Sequence, residues 1–425
     1  MCDWWLARPV SAASLATHPM SEWKALLTTP RFRAFWLALV AQNLGSWCVI
    51  AALPILVADR FGIGVELVLS LGLRVLPKIV LAPIAGGLLG AFGAARVSSS
   101  ALVGMAGLTA LLPWCGDFLL LQAAILTIGA LDVFVTPGVL ALRGPVTPPG
   151  LEMASNTLCS VADRLAKIVG PIIGGLAVLA GFVPGFLLFA AATLLAAFTI
   201  ARLQVTRDPG PVGGFRMRHM AAAPVEFVRM LRADPALIGL LICAVSYMVM
   251  LGGLRPFLFW ANRDWYGASD TAWTGLLAAQ GAGALVGALL SGLFGRTMLR
   301  WAPAYVLTLL SGLMEGVLHL ALLLAETSEQ AMVLLALASI PEIISTATWF
   351  TAFQQRVSAA RQAVFFSFAA PLWDCMFVAG VLSAGFVASG SLSLAGYWAI
   401  LSLVSTLPIV PVLILYRMRR GWGRP

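Results

Sequence analysis

Lys78-Ile-Val-Leu-Ala-Pro83-Ile-Ala-Gly86-Gly87 and Lys167-Ile-Val-Gly-Pro171-Ile-Ile-Gly174-Gly175 are nearly the same phrase written twice. Each sits in an apolar stretch long enough to cross a bilayer, and the two stretches are three spans apart. In a chain that crosses back and forth, segments three spans apart run in opposite directions. The pair therefore reads as an inverted repeat of three plus three helices.

Working outward, apolar stretches recur at about 34–58, 67–92, 97–115, 118–142, 157–180, 182–201, 236–261, 272–294, 301–325, 331–353, 363–388 and 392–416. Each meets or nearly meets the roughly 20 residues that a helix rising ~1.5 Å per residue needs to span hydrocarbon. With 60% hydrophobic and 11% charged residues and a mean hydropathy of +0.94, a water-soluble fold of this size would have too little polar surface to display. The expected fold is an all-α integral membrane protein with twelve spans in two six-helix bundles.

Basic residues near spans stay on the cytoplasmic side. If the N-terminus is inside, the inner segments hold Lys24, Arg31, Arg33, Arg96, Arg143, Arg202, Arg207, Arg216, Arg218, Arg229, Arg232, Arg296, Arg300, Arg356, Arg361, Arg417, Arg419, Arg420 and Arg424, and the outer ones only Arg60 and Arg263. Both termini are thus expected in the cytoplasm, with a bacterial inner membrane as the location. The net charge of +9 then faces anionic headgroups of the membrane lipids rather than nucleic acid.

The sequence divides into an N-terminal segment 1–33, a first bundle 34–201, a basic linker 202–235, a second bundle 236–416 and a basic tail 417–425. The linker opens with Asp208-Pro209-Gly210-Pro211 and Gly213-Gly214, which marks a connector, and Pro224 to Leu231 predicts a short amphipathic helix on the inner surface, with Val225, Phe227, Val228 and Leu231 as its apolar face. Residues 1–19 lack a signal-peptide pattern, and Met20 is an alternative start to Met1. Cys48, Cys115, Cys159, Cys243 and Cys375 form no Cys-x-x-Cys pair and read as small buried residues, and the scattered His18, His219 and His319 suggest no metal site.

Charges inside hydrocarbon cost about 2.5–3.5 kcal/mol each on insertion scales and persist when paired, solvated or useful. Here they are Arg74 and Lys78 in span 2, Asp132 in span 4, Asp163, Arg164 and Lys167 in span 5, Arg255 in span 7, Glu315 in span 9, Glu342 in span 10 and Asp374 in span 11. The cations concentrate in the first half and the later acids in the second. A cavity between the halves would have a positive and a negative wall.

Four-residue spacing puts Asp163 with Lys167, Arg74 with Lys78, and Glu315 with His319 on shared faces. Asp163 and Lys167 can close a structural pair within their own helix. Arg74 and Lys78 have no acid on theirs and look outward. Arg255, toward a span end, is expected to snorkel to the outer interface, and it is also a candidate for the substrate cavity. Pro77, Pro137, Pro341 and Pro371 flank these charges, which suggests a hydrated, bendable interior. No Gly-x-x-x-x-Gly-Lys-Ser/Thr loop is present, so ATP is not the direct energy source and no cofactor is implied.

Arg31-Phe-Arg-Ala-Phe-Trp, Asn43-Leu-Gly45, Ala52-Leu-Pro54, Leu73-Arg74 with Pro77, Asn156, Gly170-Pro171 with Gly174-Gly175, and Gln354-Gln355-Arg356-Val357 resemble the major facilitator superfamily. Within it, the chain resembles the bacterial drug and siderophore exporter branch that includes the enterobactin and macrolide exporters. The resemblance covers about residues 24–420. One departure stands out: where the family's loop between spans 2 and 3 reads Gly-x-x-x-Asp-Arg-x-Gly-Arg-Arg, this chain has Gly87-Leu-Leu-Gly-Ala-Phe-Gly93-Ala-Ala-Arg96, without the acid.

The resemblance implies alternating access about a midplane site, with Lys78 paired to Asp374 or to Asp132, and proton exchange at one or more of Asp132, Glu342 and Asp374. It puts spans 1, 4, 7 and 10 around the substrate, with Gln42, Asn43, Trp47, Asp132, Tyr247, Trp260, Glu342 and Trp349 as cavity candidates. It also implies that Glu315 with His319 belongs to outer scaffold. A small amphipathic substrate, protons and membrane lipids are the expected partners of a monomer. An importer or lysophospholipid flippase of the same fold is the near alternative. A membrane-embedded transferase is the distant one, disfavoured because Asp59, Asp117, Asp264, Asp270, Glu326 and Glu329 are dispersed over the outer loops.

Overall fold

The computed structural model describes residues 19–149, 151–203, 217–357 and 359–418. The choice between Met1 and Met20, the first half of the linker and the end of the basic tail lie outside these residues.

The described chain is helical throughout, with no strand. The elements are α1 (Pro19–Thr28), α2 (Pro30–Arg60), α3 (Val65–Leu73), α4 (Leu76–Phe92), α5 (Ala94–Leu111), α6 (Phe118–Val146), α7 (Glu152–Leu179) and α8 (Phe182–Ala201), then α9 (Met217–Ala233), then α10 (Pro235–Trp260), α11 (Trp273–Trp301), α12 (Ala304–Leu320), α13 (Ser328–Gln354), α14 (Ala359–Ser383), α15 (Gly385–Ala388), α16 (Leu394–Thr406) and α17 (Ile409–Met418).

Among the described residues, ten helices are long and apolar enough to cross a membrane. The two expected spans outside that set are informative. Span 2 is broken at Arg74 and Val75 into α3 and α4, with Pro77 in the first turn of α4. Span 5 is the continuous α7, and it carries Asp163, Arg164 and Lys167. The chain is least lipid-like where it repeats itself.

Side chains and glycines locate these helices. At Gly129 in α6 a Cβ would collide with the main-chain carbonyl of Arg74, so glycine there allows α6 to press against the break in span 2. Asp132, one turn further along α6, is thereby delivered to Lys78. Gly93, at φ +88°, is the single residue between α4 and α5, a turn that needs the left-handed freedom of glycine. In the second half, a Cβ at Gly252 would strike the Phe377 carbonyl and one at Gly380 the Val249 carbonyl. This reciprocal small-residue contact brings α10 and α14 together, as small residues do between membrane helices.

The two halves meet along two seams: α3 and α4 against α14, and α7 against α11. Both seams begin from a copy of the repeat. In the second copy, a Cβ on Gly170 would press on Trp47, one on Gly174 would press on Cys48, and one on Gly175 would press on Thr274. The Gly86 and Gly87 side of the first copy lies outside the residues with described side chains.

Hydrogen bonds across the halves gather at one end. The Trp260 indole donates to the Ile63 carbonyl at 2.7 Å, and the Trp273 indole donates to the Ala51 carbonyl at 3.0 Å. Ile63 and Trp260 adjoin loops expected on the outer face.

The linker corrects an expectation. Its helix α9 runs Met217–Ala233, longer than Pro224 to Leu231, and its apolar residues divide between two faces. Phe227 packs 5.4 Å from Phe365 and 5.3 Å from Phe368 by ring centroids, and Met230 is buried, whereas Val225 and Val228 are exposed. The helix docks on the second bundle through one face and leaves the two valines outward. Asp234 caps the start of α10 through the Ala236 amide at 3.0 Å and receives Arg356 at 2.8 Å.

Candidate functional site

The break in span 2 turns Arg74 and Lys78 toward other helices. Lys78 Nζ lies 2.9 Å from Asp132 Oδ2, and Asp374 of α14 stands within electrostatic reach of the same lysine. One cation thus joins a residue of its own half to one from across the seam. Arg74 donates to Ser46 Oγ at 3.4 Å and forms no salt bridge among the described residues.

Trp47, half-buried on α2, gathers two further cations. Lys167 Nζ is 5.7 Å and the Arg255 guanidinium carbon 5.6 Å from its ring centroid. Both distances suit attraction of a cation by the ring quadrupole. Arg255 therefore does not snorkel outward as expected: it turns inward to an aromatic of the other half, where it also feels Arg74. Lys167 is held by Asp163 at 3.3 Å, the within-helix pair expected from spacing. Arg74 and Arg255 have no such partner among the described residues.

Facing this cationic wall from the second half, the Tyr247 hydroxyl donates to Glu342 Oε1 at 2.7 Å. Glu342 is within electrostatic reach of Lys167 and Arg164. Cations of the first half and an acid of the second thus come within electrostatic reach of one another, without a salt bridge between Glu342 and either cation among the described residues.

The remaining cavity candidates separate. Asn43 is half-buried one turn before Trp47 on α2, and Gln42 holds the same relation to Ser46. Trp260 is 3% exposed and committed to the Ile63 carbonyl, so it joins the halves and does not face a cavity. Trp349 is buried, donates to the Leu240 carbonyl at 2.9 Å, and lies within the second bundle. The expectation that Glu315 belongs to outer scaffold is also corrected: it is 5% exposed and lines a cavity with Tyr247, Glu342 and Trp349.

Two of the loop acids serve local structure. Asp117 caps α6 through the Leu120 amide at 3.0 Å, and Asp270 sits 3.8 Å from Arg263. Among the described residues no group of His, Cys, Asp and Glu could hold a metal ion. Cys48, Cys115, Cys159, Cys243 and Cys375 are free thiols.

The family model for the Major Facilitator Superfamily matches residues 35–381, and the chain belongs to that superfamily. No curated protein matched the sequence. Solved structures share its fold at low identity. A peptide transporter POT in complex with sulfate is 14% identical with a TM-score of 0.71, covering 96% of this chain and 99% of its own. A bacterial homologue of the human lysosomal transporter Spinster, inward-facing and occupied, is 15% identical with a TM-score of 0.63, covering 96% and 98%. The nucleoside transporter NupG is 10% identical with a TM-score of 0.67, covering 92% and 99%. This chain is accordingly a multi-pass membrane protein with the fold of a secondary transporter.

Proposed function

We propose that the protein is a proton-coupled antiporter that exports a small amphipathic molecule, such as a drug, siderophore or other secondary metabolite, by alternating access in a bacterial inner membrane. Twelve spans, with both termini cytoplasmic, are part of this reading. The observation that carries it is the wall of Arg74, Arg255 and Lys167 around Trp47, opposed across the seam by Tyr247 and Glu342. Arg74 and Arg255, cations kept in a membrane interior without a salt bridge among the described residues, suit a ligand with an anionic or zwitterionic group, and the tryptophan face suits its apolar body.

Coupling is assigned to Asp132, Asp374 and Glu342. Lys78 has Asp132 at 2.9 Å and Asp374 nearby, so protonation of either acid would hand the lysine to the other, and the seam between α4 and α14 would feel the exchange. The indole bonds of Trp260 and Trp273 close the halves at the expected outer end. That arrangement suits an inward-facing state.

The test uses purified protein in liposomes holding a pH-sensitive dye, with anionic, zwitterionic and cationic amphiphiles supplied in turn. Substrate-coupled proton flux is expected for the first two classes, and counterflow in vesicles of known orientation gives its direction. If flux survives unchanged in each of Asp132→Asn, Glu342→Gln and Asp374→Asn, proton coupling through these acids is wrong.

A further inference from the structure

A second feature lies wholly inside the C-terminal bundle. A cavity of about 210 Å³ is walled by α10, α12, α13 and α14, with Ser405 and Ile409 closing one side. Glu315 and Glu342 both line it, and aromatics make up much of the remaining wall: Tyr247, Trp349, Phe350 and Trp373. Glu342 has the Tyr247 hydroxyl as a donor. Glu315, 5% exposed, has no hydrogen-bond partner on its Oε1 among the described residues. The nearest basic atom, His319 Nδ1, is 4.0 Å from that oxygen and is engaged with the Glu315 main-chain carbonyl at 3.1 Å.

Buried carboxylate oxygens are almost always satisfied, so an orphan one in a cavity asks for a donor from outside the chain. We propose that this cavity binds a small organic cation, a protonated primary or secondary amine with an apolar body, whose ammonium lies between Glu315 and Glu342 and whose body rests on Trp349, Phe350 and Trp373.

Each alternative ligand fails on a feature of the wall. A neutral ligand has fewer donors to offer the two acidic side chains at one point, and an anion would meet both of them. A bare metal ion would gain nothing from the indoles and phenyl ring, and no group of three or more His, Cys, Asp or Glu side chains placed to hold one is present among the described residues. An ammonium offers several donors at one point, and aromatic faces attract it. The volume is below the usual range for drug-sized pockets, which limits the ligand to a compact amine. The site is opposite in charge to the Arg74, Arg255 and Trp47 wall, and binding at it does not require transport.

Calorimetric titration of the full-length protein in lipid nanodiscs tests this with three ligands of one shape: 2-phenylethylamine, 2-phenylethanol and 3-phenylpropanoate. The amine is expected to bind at least tenfold more tightly than the alcohol, with no measurable binding of the carboxylate. Glu315→Gln and Glu342→Gln should each weaken the amine tenfold or more and leave the alcohol unchanged. Equal affinity for amine and alcohol, absence of amine binding at millimolar concentration, or amine binding indifferent to Glu315→Gln would each overturn the proposal. The comparison of the three ligands on the unmodified protein stands even if a variant fails to fold. Proton-coupled flux of another substrate without amine binding overturns this site alone, whereas amine binding without any flux overturns the transport reading alone.

Discussion

The two halves handle buried charge in opposite ways. In the first, acids and bases interleave: Lys78 with Asp132 at 2.9 Å, and Lys167 with Asp163 at 3.3 Å. In the second, acids stand among aromatics and hydroxyls: Glu342 under Tyr247, and Glu315 with an unpartnered oxygen beside Trp349 and Trp373. Among the described residues, Arg74 and Arg164 are the in-span cations of the first half that these pairs leave over. The second is left acidic except for Arg255, which it sends across to Trp47 of the first. Charge sorted this way makes the seam between the halves the place where electrostatic energy changes most when they move. A transporter needs its bistable element there.

The largest effect should come from the compensated side. Asp132→Asn leaves Lys78 partly buried with only Asp374 to meet it, and unpaired buried charges cost up to about 3–5 kcal/mol. The pair is partly hydrated, with side-chain exposures of 36% and 15%, so about 1–3 kcal/mol is the expected loss in thermal stability. Restoration by the Lys78→Asp, Asp132→Lys double variant would confirm a direct pair, and additive losses in the double-mutant cycle would break the comparison.

Gly129→Ala probes the same region through shape. Its methyl group would meet the Arg74 carbonyl, and overpacking of this kind costs about 1–3 kcal/mol. The melting temperature should fall and Asp132 should withdraw from Lys78, read as weaker coupling in the double-mutant cycle. An unchanged melting temperature would show that α6 does not press on the break.

The smallest effect concerns the closed end. Trp273→Phe keeps the ring in its buried place and removes the bond to Ala51, worth about 0.5–1.5 kcal/mol, or about two- to twelvefold in the balance of conformations. Spin-label distances between the ends of α2 and α11 should broaden toward a separated population. No change would mean that packing, including the edge-on contact of Phe259 with Trp273 at 5.4 Å, closes that end unaided.

Much of this was legible in the chain. The repeat from Lys78 and from Lys167 predicted two equivalent segments running in opposite senses, and both lie on the seams between halves. Spacing of four predicted the Asp163 and Lys167 pair, because i and i+4 are neighbours on any helix. Of the twelve expected spans, ten stand among the described residues as helices long and apolar enough to cross a membrane, while span 2 is broken at Arg74 and span 5 is continuous but heavily charged. Hydropathy is a sum over residues and does not report a turn.

The inward turn of Arg255 and the cavity position of Glu315 share a reason for being hard to read: depth along a span is readable from sequence, but rotation about its axis is less so. A signal for Glu315 did exist. Thr308, Gly312, Glu315 and His319 recur at spacings of four, three and four, a stripe of small and polar residues that marks a buried face in a membrane helix. Trp260 shows the converse, since an aromatic near a span end suits a cavity, an interface belt or a clamp equally well until its indole partner is known.

The sequence by itself determined that this protein lives in lipid, that its helices form two related bundles, and which side chains carry charge into the interior. Composition and periodicity act through the solvent each residue must face, and a bilayer enforces them residue by residue. Only the tertiary structure decided which charges meet, which indoles clamp the halves, and that two glutamates share one aromatic cavity. Those outcomes depend on angstrom-scale distances between helices far apart in the chain, and such distances are set by how the helices pack.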